Sequence, residues 1–278
     1  MHKTHVAPVS PAAGITEENR RVLAQLHRRI SRPFTVAEAS EILNLNITRT
    51  RRLLAYWAAR GWLARVRRGL YITVPLEARH PAERREDAWI LAETLFSPCY
   101  IGGWSACEHW GLTEQIFRDV VVFTSKSVRD RRPAIQDQTF IVKTVMERKL
   151  FGTVSAWRRD IKIRVSDPSR TIVDILAYPQ IGGGARLIAE MIAEYFAGEH
   201  RDDKKLTEYI ENFGNRTVYK RLGFLVETLN IQAPAVSSRC LIGISSGLSK
   251  LDPAVTAKGR LNRRWNLMVN VTIGSRAI

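Results

Sequence analysis

Apolar positions recur every three or four residues through the first fifth of the chain, then switch to every second residue. Val22, Leu23, Leu26 and Ile30 predict a helix from Glu17 to about Arg29, with Thr16 as its cap. Val36, Ala39, Ile42 and Leu43 predict a second, opened by a capping box in which Thr35 and Glu38 exchange side chains for backbone N–H groups. Asn44-Leu45-Asn46 breaks that helix, and Asn46 or Thr48 is placed to cap the next. In the third segment Ile47, Thr50, Leu53, Leu54 and Trp57 share one face at about 100° per residue, and Gly61 is a natural stop. Trp62–Val66 and Leu70–Val74 then read as strands joined through Arg67-Arg68-Gly69, where glycine makes a positive φ cheap. Two helices, a turn and a hairpin with a basic tip make up a winged helix-turn-helix.

Pro75 ends the second strand, and Glu77-Ala78-Arg79-His80-Pro81 reads as the link to a second unit. Helical periodicity resumes from Glu83 to Phe96. Cys99-Tyr100-Ile101 then predicts a short strand, Trp104–Trp110 a helix ended by Gly111, and 119–124 a strand too apolar for a sheet edge. Further strands are expected at 138–144, 153–157 and 161–165. Ser166-Asp167-Pro168 opens a helix carrying Ile172, Val173, Ile175 and Leu176. Gly182-Gly183-Gly184 precedes a helix over 185–196, and two more are expected over 204–213 and 216–229, with a closing strand over 265–273. The expectation is an α+β chain: a disordered Pro/Ala-rich arm over 1–15, a winged helix-turn-helix over 16–76, and a larger mixed α/β domain over 82–278.

Charge sharpens this picture. No Asp or Glu occurs between Glu41 and Glu77, whereas seven arginines do, at positions 49, 51, 52, 60, 65, 67 and 68. The helix opened at Ile47 carries Thr48, Arg49, Arg51, Arg52, Tyr56 and Arg60 away from its apolar face, and the residues nearest the start of such a helix reach base edges in the major groove. Arg65, Arg67 and Arg68 on the hairpin suit phosphate or minor-groove contact. The plainer alternative is a solvated basic helix in a larger domain; the agreement of cap, spacing, hairpin and charge favours DNA. The net charge of +16 and pI near 10.3 also ask for an acidic partner, and residues 1–80 hold 14 basic against 5 acidic residues.

Other chemistry finds less support. Cys99, Cys107 and Cys240 are too few and too irregular for a disulfide framework; with His109 they lack paired metal-ligand spacing and a fourth ligand, so buried free thiols and no metal are expected. No apolar run reaches about 18 residues, and the start lacks a signal-like apolar segment, so a soluble cytoplasmic protein is expected. Neither Gly102-Gly103 nor Gly182-Gly183-Gly184 fits a phosphate-binding motif, and turns are the reading. Nucleotidyl transfer needs a Gly-Ser turn with metal-holding carboxylates after it, whereas Gly274-Ser275 has no Asp beyond it. The enzyme alternative is a metal-dependent nuclease fused to the winged helix. Asp119 and Lys126 echo part of such a site, but Thr124 stands where its second acidic residue belongs. Glu108 and His109 are adjacent on a helix, pointing about 100° apart, which suits a structural histidine beside Trp110 better than an acid/base pair. No catalytic set or cofactor is expected.

Several stretches together resemble the AbiEi-like antitoxins, transcriptional regulators of abortive-infection type IV toxin–antitoxin systems. They are the winged helix ending in Gly69-Leu70-Tyr71, then YIGGWSACEHWGLTEQ (100–115), SDPSRTIVDIL (166–176), KRLGFLVETL (220–229) and LDPAVTAKGRLNRRWNLMVNV (251–271). Segments 126–150 and 198–215 match weakly. The resemblance implies a non-enzymatic repressor that binds inverted repeats in its own promoter. Its C-terminal domain would oppose a nucleotidyltransferase-like toxin, with or without a stable complex. Carried over by position, DNA binding falls on Thr48, Arg49, Arg51, Arg52, Arg65, Arg67 and Arg68. The antitoxin surface falls on Arg170, Arg221, Arg260, Arg263 and Arg264, read as exposed charges; the alternative is ordinary surface arginines or ion-pair partners of Asp167 and Asp174. Operator, toxin and oligomeric state are left open.

Overall fold

The computed structural model describes residues 16–74 and 85–274, so the expected arm, linker core and last four residues lie outside the described residues. The chain divides into two compact units, Met1–Thr94 and Leu95–Ile278. In the first, α1 (Glu17–Arg29) is capped by Thr16 as expected, and Leu23, Leu26 and Ile30 enter the core. α2 (Val36–Leu43) has the full capping box: Thr35 Oγ1 accepts from Glu38 N at 3.2 Å and Glu38 returns the contact to Thr35 N at 2.8 Å. Asn44 stops it in the left-handed region, φ 50°. Then α3 (Ile47–Ala59) begins on Asn46, whose Oδ1 accepts from Arg49 N at 2.8 Å. Strands β2 (Leu63–Arg67) and β3 (Leu70–Thr73) form the hairpin, with Gly69 at φ +78°.

Two features of this unit escape the periodicity. The hairpin gains a third strand, β1 (Phe34–Thr35), antiparallel to β3 with Phe34 opposite Tyr71. Thr35 therefore ends a strand and caps α2 at once, tying the helix start to the wing. Ile47 is also 48% exposed, unlike Thr50, Leu54 and Trp57, which are fully buried. As the first residue of α3 it lies beyond the reach of the packed face, so its place on the inward arc does not bury it.

The second unit is built on a six-stranded mixed sheet of order β6-β7-β5-β4-β9-β8, with β4 (Cys99–Ile101), β5 (Val120–Thr124), β6 (Ala134–Ile135), β7 (Gln138–Thr144), β8 (Thr153–Arg158) and β9 (Ile161–Ser166). β5 is interior and buried along its length, as its composition requires. Helix α4 (Ala88–Phe96) spans the division between the units and starts on Asp87, whose carboxylate accepts from Trp89 and Ile90 N–H. α5 (Gly103–His109), α6 (Pro168–Ala177), α7 (Ala185–Ala197), α8 (Asp203–Phe213) and α9 (Thr217–Thr228) follow, with α6 in contact with all the other four. Ser169 to Ala177 are buried without exception, so α6 is hydrophobic-core helix on every side and any charge on it needs an internal partner.

The C-terminal end differs from expectation. A helix absent from the sequence reading, α10 (Pro234–Gly243), packs on α8 and α9 through Val236 and Cys240 while Leu241 and Ile242 face outward. The closing strand shrinks to β12 (Leu267–Val269), central in a small sheet with β10 (Ser249–Lys250) and β11 (Arg260–Asn262). Trp265 is the anchor of this sheet: it is 1% exposed, and its indole N–H donates to Glu227 of α9.

Candidate nucleic-acid interface

The turn between α2 and α3 is fixed by local polar contacts. Leu45 N donates to the Ser40 carbonyl at 3.1 Å, and the Asn46 carbonyl accepts from both Thr50 N and Thr50 Oγ1 at 3.0 Å. Gln25 of α1 donates to the Ile42 carbonyl at 2.9 Å, closing the end of α2. With Thr50, Leu54 and Trp57 locked inward, helical geometry puts Thr48 and Arg52 at the centre of the outer face, with Arg49 and Arg51 to either side. Ala55 and Ala59 continue that face with small side chains, so a groove wall meets little bulk beyond the first turn. Tyr56 and Arg60 occupy its edge: the Arg60 guanidinium sits 5.3 Å over the Tyr56 ring, which meets Trp62 edge-on.

The wing carries the other arginines. A bulge between Arg65 and Arg67 sets Val66 inward and leaves Arg65, Arg67 and Arg68 exposed. All seven expected residues, Thr48, Arg49, Arg51, Arg52, Arg65, Arg67 and Arg68, are exposed, and none of their side chains has a hydrogen-bond or ion-pair partner among the described residues. Of the acidic side chains of α1 and α2, Glu17 is engaged with Arg21, and Glu38 with Arg32 and Thr35. Burial pushes the Glu38 carboxyl up, but hydrogen bonds from Thr35 and Arg32 outweigh it and hold the group below its ordinary value. The result is an acid-free cationic surface on a packed helix and a three-stranded wing.

Residues 21–74 match the family model described as "Transcriptional regulator, AbiEi antitoxin". This stretch of the N-terminal unit is similar to the AbiEi antitoxin regulators. The matched stretch runs from within α1 to the end of the wing, so it bears out the resemblance there, while the motifs between 100 and 271 lie outside it; the architecture is α+β with a winged helix at its start, as expected. No curated protein matches the chain. Among the described residues no helix is long and apolar enough to cross a membrane.

The AbiEi-type reading of the C-terminal arginines needs correction at two positions. Arg170 and Arg221 are not exposed charges; they are 0% and 5% exposed. Arg170 Nε donates to Asp174 Oδ1 at 3.0 Å and Nη2 to Tyr100 Oη at 2.7 Å, pairing the two charges of the buried α6 with each other. Arg221 donates to the Leu176 carbonyl at 2.6 Å and the Lys250 carbonyl at 2.9 Å, capping the end of α6 and clasping the small sheet. Burial lowers the Arg221 pKa to about 10. These partners lie up to 70 residues away, so the motif showed a charge without showing its burial. Arg260, Arg263 and Arg264 are exposed on the β11–β12 hairpin; Arg264 pairs with Glu227 at 3.3 Å and lies over Trp265.

The enzyme-like pairs do not assemble. Asp119 and Lys126 lie beyond opposite ends of β5, whose five residues alone span about 13 Å at strand rise. Asp119 pairs with Arg132 at 3.1 Å, and Lys126 Nζ donates to the Leu95 carbonyl at 3.3 Å. His109 packs edge-on against Trp110, and burial, then Arg158, lowers its pKa. The three cysteines are buried free thiols; burial pushes Cys107 well up and Cys240 to about 12.

Proposed function

We propose that the protein is a DNA-binding repressor and antitoxin without enzymatic turnover. Residues 16–76 act as the DNA-binding domain and 82–278 as the antitoxin domain. The first turn of α3 enters the major groove, where Arg49 or Arg52 reads guanine and Thr48 and the exposed Ile47 meet neighbouring base edges, a thymine methyl being the natural contact for Ile47. Arg51 flanks the groove, and Arg65, Arg67 and Arg68 hold phosphates through the wing. The observation that carries this reading is the set of seven exposed, unpaired side chains on an acid-free AbiEi-type winged helix.

The DNA is inverted repeats in the protein's own promoter, and the antitoxin domain opposes a nucleotidyltransferase-like toxin in the cytoplasm. Within that domain Arg260, Arg263 and Arg264 form the charged surface, now without Arg170 and Arg221. A gel-shift titration on DNA from upstream of the protein's own gene, with scrambled competitor, tests the repressor half. A shift that survives competitor supports it, and binding no tighter than to scrambled DNA overturns it. Rescue of growth on co-expression with the adjacent toxin gene tests the other half; no rescue by 82–278 or the full chain overturns it.

A further inference from the structure

The second unit holds a cationic cluster that neither DNA binding nor the hairpin arginines use. Arg170 has five N–H donors, and the two on Nη1 have no partner among the described residues although the side chain is fully buried. Its guanidinium lies 4.9 Å from the Phe213 ring centre and 4.3 Å from that of Phe151. Lys149 is its neighbour: the Lys149 carbonyl accepts from Arg170 Nη2 at 2.9 Å, and the Lys149 ammonium sits 4.3 Å from the centre of the same Phe213 ring. Phe213 meets Tyr178 edge-on, and the Lys143 ammonium lies 4.1 Å over Tyr178.

The charge in this cluster is not balanced. Asp174 is consumed by Arg170 and Tyr100, and Asp167 by Tyr209 and the start of α6. Lys143 and Lys149 have aromatic faces but no carboxylate partner among the described residues, and Arg131 and Arg148 stand close enough to add to the repulsion. Both lysines are half-buried, so water compensates them only in part. The unpartnered Arg170 Nη1 and the Lys149 ammonium, near enough for the guanidinium charge to act on the lysine, suit a compact, multiply charged oxyanion, with Lys143 farther out over Tyr178.

We propose that Arg170 Nη1 and Lys149, with Lys143 at the rim, bind a phosphate or diphosphate group of a small molecule. The site draws on β7, the 147–149 turn, α6 and α8, all within one unit. The test is calorimetric titration of the full-length protein at low salt with inorganic phosphate and with pyrophosphate. Wild type, Lys149→Ala, Lys143→Ala and the wing variant Arg67→Ala/Arg68→Ala are compared, with thermal melts to confirm folding. The expected result is saturable one-site binding, weakened about tenfold or more in Lys149→Ala by removal of one charge-assisted hydrogen bond, weakened less in Lys143→Ala, and unchanged in the wing variant. Absence of saturable binding, equal binding by Lys149→Ala, or a loss confined to the wing variant would each overturn the proposal. Because the wing variant is the one expected to weaken DNA binding, failure here and failure of the repressor reading are separable.

Discussion

Replacing Gly223 by alanine ought to stabilise a helix interior by roughly 1 kcal/mol, since glycine is the poorer helix former. At this position of α9 the opposite is expected. A Cβ at Gly223 would stand 2.1 Å from Cζ3 and 2.3 Å from Cη2 of Trp265, where carbon atoms normally meet at about 3.5–4 Å. The indole is 1% exposed and tethered to Glu227, so it has nowhere to retreat without leaving α9. Overpacking of this kind costs about 1–3 kcal/mol, and an overlap this deep belongs at or beyond the upper end. After the helical gain, a net loss of about 2 kcal/mol remains. Denaturant unfolding of wild type, Gly223→Ala, Trp265→Ala and the double variant measures it. Trp265→Ala alone should lose about 3–5 kcal/mol, and in that background Gly223→Ala should become neutral or mildly stabilising. A coupling of about 2 kcal/mol between the sites follows. If Gly223→Ala stabilises the otherwise wild-type protein, the packing of the β10-β12-β11 sheet on α9 is wrong, and with it the placement of Arg260, Arg263 and Arg264.

Three further outcomes test other parts of the structure. Asn46→Ala removes the cap of α3 and should cost about 1 kcal/mol, whereas Asn46→Ser should cost far less; hydrogen exchange at Arg49 N–H distinguishes them, and equal protection in both would refute the cap. The folded-state pKa of Glu38 is lowered, so its stabilisation is fully present above the unfolded value near 4.5 and is lost as pH falls through the lower, folded value. Glu38→Gln should therefore flatten the acid-induced loss of protection in α2 below that pH, and an unchanged acid profile would count against the capping box. Asp174→Asn leaves the Arg170 charge buried without its partner and should destabilise the second unit by about 3–5 kcal/mol, read by thermal or denaturant unfolding; a destabilisation under about 1 kcal/mol would contradict the buried pair.

What the sequence made legible is what local spacing controls. The capping box at Thr35, the outward arc of α3, the Gly69 turn and the interior strand at 120–124 each follow from residues within one element. Partners distant in sequence were out of reach. Strand β1 is two residues long and exists only because β3 pairs with it, and no periodicity marks so short a segment. Helix α10 buries only Val236 and Cys240, too few to show a stripe. Arg170 is the clearest case. Its i, i+4 pairing with Asp174 was readable as an alternative, but Tyr100 and the Lys149 carbonyl, which make the burial tolerable, lie 70 and 21 residues away. The exposure of the seven candidate residues was legible because an unpaired surface requires no partner, only an outward position on the element.

DNA binding is tested most directly by a salt-dependent titration of operator and scrambled duplexes. Wild type is compared with Arg49→Ala/Arg52→Ala and Arg67→Ala/Arg68→Ala. The wing pair should weaken both duplexes alike and reduce the slope of log affinity against log salt by roughly 1.8, about 0.9 for each phosphate no longer neutralised. The helix pair should lose mainly the preference for operator, at about 1–3 kcal/mol for each base interaction removed. Wild-type discrimination and wild-type slope in both variants would contradict a winged helix that reads DNA through α3 and holds it through the wing.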